Sequence, residues 1–158
     1  MDIVFKAKNT GFYVKLNDSP AALEISDHLP LKGTVSRWGD EIYFDTGIFL
    51  SPGELTMDLQ CGDVAYWPQG KCLCVFFGRT GASVTNKPVP ASPVAVIGRT
   101  MAAADELRQI KEGEPIEVCV TGKAAVEVRE SGSYDDNRKL SQEEIDALVK
   151  RLLAQKSA

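Results

Sequence analysis

Histidine is almost missing from this chain of 158 residues: His28 is the only one. The four cysteines, Cys61, Cys72, Cys74 and Cys119, lack the C-x-x-C spacing of zinc and thioredoxin-type redox sites. Neither a metal nor a cofactor is therefore expected, and unpaired cysteines fit a reducing compartment. A surplus of positive charge is also lacking. Lys and Arg number 18 against 22 Asp and Glu, the net charge is −4, and the pI is near 5.1. The basic residues are scattered, which argues against a nucleic-acid surface. No apolar run approaches the roughly 20 residues a membrane span needs. The opening MDIVFKAK lacks a signal-peptide layout. A cytoplasmic protein with neither nucleic-acid nor membrane partners is the expectation.

What the chain does have is a dense apolar and aromatic stretch, GDVAYWPQGKCLCVFFG, at residues 62–78. Val64 and Tyr66 alternate with Ala65 and Trp67, Pro68-Gln69-Gly70 turns the chain, and residues 72–77 are continuously apolar. That pattern predicts a hairpin whose second strand is buried on both faces. Side chains alternate at period two, so Cys72, Cys74 and Phe76 point one way and Leu73, Val75 and Phe77 the other. With short strands throughout, a closed or nearly closed barrel covers both faces.

Around this centre the remaining elements fall in order. Ile3, Phe5, Phe12, Val14 and Leu16 alternate about Asn9-Thr10-Gly11, predicting an opening hairpin. Ser19 caps a helix that starts at Pro20 and stops at Leu29-Pro30, with His28 as a helix-end residue. A second hairpin turns at Gly39-Asp40. Residues 46–62 read as a loop with a short strand near 55–59, and residues 79–93 as a proline-rich surface loop. A strand at 94–97, a helix over 102–110 that buries Leu107 and Ile110, and a strand at 116–120 complete a domain over 1–121. Residues 122–140 form a charged linker. Residues 141–158 predict a C-terminal amphipathic helix, with Ser141 and Glu144 as a capping box and Ile145, Leu148, Val149 and Leu152 on one stripe. That stripe needs a partner, either this chain's own barrel or a second copy, which makes a homo-oligomer one option.

The order of elements resembles that of cyclophilins. CVFFGRT at 74–80 is similar to the cyclophilin strand with a tandem Phe-Phe, and VAVIG at 94–98 to a later strand. WGDEIYF at 38–44, GDVAYWPQG at 62–70 and LCVFFG at 73–78 resemble more closely a smaller prokaryotic group of cyclophilin-like proteins. The likeness covers roughly residues 1–121. It implies a mainly β fold, a closed eight-stranded barrel with two helices and an outer binding groove, to which the C-terminal helix is an extension. Prolyl isomerisation in cyclophilins uses an arginine and a phenylalanine. The resemblance puts Arg37 and Phe77 in those places, while the Phe-His-Arg triplet is here Val35-Ser36-Arg37 and the tryptophan loop is replaced by residues 81–93.

Three functions follow as expectations. The first is a groove for a peptide or small-molecule ligand, walled by Trp38, Tyr66, Trp67 and Phe77 and oriented by Arg37, Glu41 and Arg79. The second is a prolyl isomerase using Arg37 and Phe77. The third is an interaction module docking through its terminal helix. Glu41 beside desolvating aromatics, with Tyr66 near, is also a candidate for acid–base work.

Overall fold

A computed structural model describes residues 1–121. The opening hairpin forms where alternation predicts it. Strand β1 (Asp2–Lys6) and strand β2 (Gly11–Leu16) pair antiparallel, with Ile3 opposite Val14 and Phe5 opposite Phe12. All four side chains are buried, and the two phenylalanine rings stack with centroids 5.0 Å apart. Helix α1 (Pro20–Asp27) begins at Ser19, whose hydroxyl accepts the Ala22 N–H at 3.2 Å. It buries Ala21, Ala22 and Ile25. His28 caps its end, with ring Nδ1 2.8 Å from the Glu24 carbonyl oxygen.

The chain continues through β3 (Leu31–Thr34), β4 (Ser36–Arg37), β5 (Glu41–Asp45), β6 (Asp63–Trp67), β7 (Cys72–Phe76), β8 (Ala95–Arg99), α2 (Ala104–Leu107) and β9 (Pro115–Val120). One sheet takes all nine strands in the order β3-β9-β1-β2-β8-β6-β7-β5-β4. Its two outermost strands, β3 and β4, are separated in the chain by Val35 alone. They are two halves of one bent stave, so the sheet curls into a nearly closed barrel. This explains why nine strands appear where eight were expected. Before Val35 the chain pairs with β9, after it with β5, and Val35 itself donates its N–H to the Glu114 carbonyl at 2.9 Å. Closing the seam brings β3 hard against β5. A Cβ on Gly33 would stand 2.4 Å from Cδ2 of Phe44.

Period-two alternation sorts the wall β5-β7-β6 into two cores. Ile42, Phe44, Val64, Tyr66, Leu73 and Val75 join Phe77 in the barrel interior. Ala65, Cys72, Cys74 and Phe76 form a second buried cluster on the outer face with Leu59 and Val94. The outer face is covered by Leu59 and the Thr56–Val94 bridge from the end of the segment 46–62 and by residues 90–94, as a strand buried on both faces requires.

Two elements are shorter than expected. The helix anticipated over 102–110 is regular only at Ala104–Leu107, although Leu107 and Ile110 are buried. Beyond Leu107 the turns tighten to i−3 bonds, Gln109 N–H to Glu106 and Ile110 N–H to Leu107, and the carbonyls of Arg108 and Ile110 accept from the Arg37 guanidinium at 3.4 and 2.8 Å. The strand anticipated at 55–59 reduces to one bridge, Thr56 with Val94. The linker at 122–140 and the helix at 141–158 lie outside the described residues. Among the described residues no helix is long and apolar enough to cross a membrane.

The contact at the seam is testable. Gly33→Ala forces a methyl against the Phe44 ring, and overpacking of this kind costs about 1–3 kcal/mol. A lower urea midpoint with an unchanged slope is expected, whereas an unaltered midpoint would show that the seam is looser than this.

Candidate functional site

The two faces of the β4–β5 hairpin decide what each side chain can reach. Ser36 pairs with Tyr43 and Arg37 with Ile42, and directly paired residues share a face. Arg37 therefore falls on the side of Ile42, toward the interior. Glu41 and Tyr43 fall on the outer face, where they pair with Phe76 and Cys74 of β7.

These outward residues surround a cavity of about 150 Å³. Its aromatic walls are Trp38, Tyr43, Trp67 and Phe76, with Glu41 and Cys74 between them. Pro90, Ala91 and Val94 close it from the segment above. Each indole rests on a glycine. A Cβ on Gly81 would stand 2.4 Å from Nε1 of Trp38, and one on Gly70 2.5 Å from Cζ3 of Trp67. Trp67 is fixed further by an edge-on contact with Tyr43 at 6.4 Å and by donating its N–H to the Ser92 hydroxyl. The covering segment is tied down by its own polar groups. Thr80 Oγ1 donates to the Val89 carbonyl at 2.6 Å, Ser83 Oγ to that of Lys87 at 2.7 Å, and Lys87 pairs with Asp58.

Glu41 is the unusual group. It is 5% exposed, and the side-chain hydrogen bond it makes is to Cys74, a weak thiol donor. Burial pushes its carboxyl up from 4.5 to about 7, against a smaller lowering by that thiol. The thiols move the other way from reactivity. Burial and then neighbouring carboxylates raise Cys72 to about 11, and Cys74 is held well above its ordinary value of 9.0 by burial and then by Glu41. Tyr43 is raised by burial first and by Glu41 second. Near neutral pH the cavity thus holds one carboxyl poised to ionise beside a thiol and a phenol that stay protonated. Among the described residues, no three His, Cys, Asp or Glu side chains gather as a metal site.

Of the residues expected in the groove, Trp38, Glu41 and Trp67 line the cavity. Tyr66 does not. It is fully buried inside the barrel, where its hydroxyl donates to the Ile48 carbonyl at 2.7 Å and accepts the Leu50 N–H at 3.3 Å. Arg79 is exposed and donates to the Ser83 carbonyl at 3.3 Å, away from the cavity. Arg37 and Phe77 do come together, with the guanidinium carbon 5.5 Å from the ring centroid. Phe77 belongs to the interior core, and Arg37 spends its donors on carbonyls. It bonds Gly39 at 2.8 Å as well as Ile110, and it lies 3.8 Å from Asp40. Tyr43, Cys74, Phe76 and the closing residues Pro90, Ala91 and Val94 were not anticipated as parts of the site. Carrying the alternation of β5 and β7 through their pairing identifies the first three.

The family model described as Cyclophilin-like matches residues 1–119. No curated protein matches the chain. Among solved structures, a hypothetical protein from Archaeoglobus fulgidus, determined in solution, is 38% identical with a TM-score of 0.64, covering 75% of this chain and 93% of its own. McbB in complex with tryptophan is 18% identical with a TM-score of 0.57, covering 95% of this chain and 55% of its own, a likeness of fold alone.

The raised carboxyl sets a pH dependence with a definite sign. Glu41 holds its proton in the folded state up to about pH 7 but releases it near 4.5 when unfolded. Its contribution to stability is therefore complete below 4.5 and is lost as pH rises to about 7. Glu41→Gln keeps the neutral shape and removes the titration. At pH 8 the variant should exceed the parent in unfolding free energy by on the order of 3 kcal/mol, with the gap closing at pH 4.5. Parallel pH profiles from urea unfolding would show that Glu41 is hydrated.

Proposed function

The chain belongs to the Cyclophilin-like family, and from that premise we propose that it is a binding module whose outer-wall cavity takes a small, largely apolar ligand anchored by Glu41. The observation that carries this reading is a carboxyl 5% exposed, faced by four aromatic side chains, with a thiol as its hydrogen-bonding partner. Burying such a group is costly, and a hydrocarbon at position 41 would pack against Phe76 without that cost. An apolar pocket with one well-placed polar group is the usual make-up of a small-molecule site. Cys61, Cys72 and Cys74, present as thiols, support a reducing, cytoplasmic setting.

Arg37 and Phe77 serve a prolyl isomerase less well. A guanidinium must meet the proline nitrogen as it becomes tetrahedral, and the donors of Arg37 are engaged by the carbonyls of Gly39 and Ile110. A protease-coupled isomerisation assay with micromolar folded protein should give no rate above background. A measurable rate abolished by Arg37→Lys would restore that reading.

The binding reading is tested by screening neutral, cationic and anionic fragments of five to ten heavy atoms against the full chain. Indole resonances of Trp38 and Trp67 report the cavity. At least one fragment should shift both in a saturable way, with Trp38→Ala weakening it tenfold or more and Arg79→Ala leaving it within twofold. Shifts confined to other residues, or none at all, would refute the site.

A further inference from the structure

Resting on the binding reading above, we infer that the cavity recognises an organic ammonium, a primary to quaternary amine on a short apolar stem, seated beside Glu41 among Trp38, Tyr43 and Trp67. Two independent features of the wall converge on positive charge. The first is the aromatic lining. Ring faces carry negative potential and attract cations, tryptophan most strongly, and groups of such rings are the common device for holding methylated ammonium. Here two indoles, a phenol and a phenyl ring border one space of about 150 Å³. That volume suits an ammonium head with its substituents and is too small for a bulky ligand.

The second feature is the missing counter-charge. None of the residues lining the cavity is basic. The nearby cations are committed elsewhere: Arg37 to Asp40 and backbone carbonyls, Arg79 to the Ser83 carbonyl, Lys87 to Asp58. An ionised carboxylate offers about four lone-pair sites, and Cys74 supplies one weak donor. A buried charge is stable only when paired, so ionised Glu41 asks for a cation that the described protein does not provide. Neutral hydrogen-bond donors satisfy the carboxylate only in part. An anionic ligand is repelled by it.

Charge also orders the affinity with pH. The titratable groups facing Glu41 are Cys74 and Cys72 from β7 and Tyr43 from its own strand, all raised and therefore neutral near pH 7. From β6 the neighbour is Trp67, and from the covering segment Pro90 and Ala91, none of which titrates. The ionised fraction of Glu41 then governs binding of a cation. With the carboxyl titrating at about 7, apparent affinity should fall roughly tenfold between pH 8 and pH 6, following the competent fraction. A bound cation in turn favours release of the Glu41 proton.

The experiment titrates the full chain with choline and with its neutral isostere 3,3-dimethylbutan-1-ol, following the Trp38 and Trp67 indole resonances at pH 6 and pH 8. Choline is expected to bind at least tenfold more tightly than the alcohol at pH 8, and the preference should shrink at pH 6. Glu41→Gln should abolish the pH dependence and cut the preference severalfold, leaving the smaller part that the rings supply, and Trp38→Ala, as a second variant, should weaken choline tenfold or more. Two further probes, n-butyltrimethylammonium and N-acetyl-trimethyllysine amide, separate the sources of such a head. The tighter of them assigns a free amine or a protein side chain as the natural bearer, and either supports the inference. Equal or tighter binding of the neutral alcohol at pH 8 overturns the ammonium inference and leaves the binding reading standing. If neither these probes nor any fragment of the wider screen moves the indoles, both fail together.

Discussion

Burial on both faces of the β5-β7-β6 wall is the constraint from which the rest of this structure follows. A strand alternates its side chains across the sheet. A wall with water on neither side must therefore be matched by two separate packings, one inside the barrel and one outside it. Inside, the match is Ile42, Leu73, Val75 and Tyr66 against the opening hairpin and α1. Outside, it is two long connections, and that is why segments with little regular structure are nonetheless pinned by Thr80, Ser83, Ser92 and the Thr56–Val94 bridge. Position 41 is the place where this arrangement carries a polar group instead of an apolar one. Because the outer layer comes from loops and not from a second sheet, it leaves a gap above that group.

The same alternation explains what could be read from the chain and what could not. The run Cys72–Phe77 declared its two faces directly, and Ser19-Pro20 declared a helix start, because in each case the signal lies within a few residues. The division of β3 from β4 at Val35 was not legible. It depends on which strands meet across the seam, a property of the closed sheet and not of residues 31–37. The short α2 was hidden for a related reason: the chain after Leu107 continues in tight i−3 turns whose end carbonyls are met by Arg37, 71 residues from Arg108 in the chain.

Of the residues expected in a groove, those that line the cavity are the ones whose chemistry is conspicuous by itself, Trp38, Trp67 and Glu41. Tyr66 was grouped with Trp38, Trp67 and Phe77 as one aromatic cluster, although Tyr66 and Trp67, neighbours in a strand, face opposite ways. Arg37 beside Trp38 was open to the same error. In both cases the hairpin register settles the face, and that register needs the turn geometry as well as the pattern. The glycines beneath the two indoles, Gly70 and Gly81, carry no local sign of their role. Only the approach of a ring from elsewhere shows why a Cβ is excluded.

Family likeness and site geometry answer different questions here. The Cyclophilin-like match spans residues 1–119, and with the barrel it accounts for why Arg37 and Phe77 lie side by side. Yet a guanidinium whose donors close a helix end and a hairpin tip acts as a strut, and its contact with the Phe77 ring adds to that bracing. Fold likeness does not by itself assign a use to that contact. On the opposite face of the same hairpin, one residue out of phase, the chain carries the group that bears an energetic cost. The thiols beside it are pushed toward protonation by burial, which lowers their nucleophilicity near neutral pH. Among the groups lining the cavity, Glu41 is left as the one whose charge changes near neutrality. The part of the cavity's charge selectivity that varies with pH is therefore set by that carboxyl, while the rings held against Gly70 and Gly81 set its shape and add a pH-independent attraction for cations.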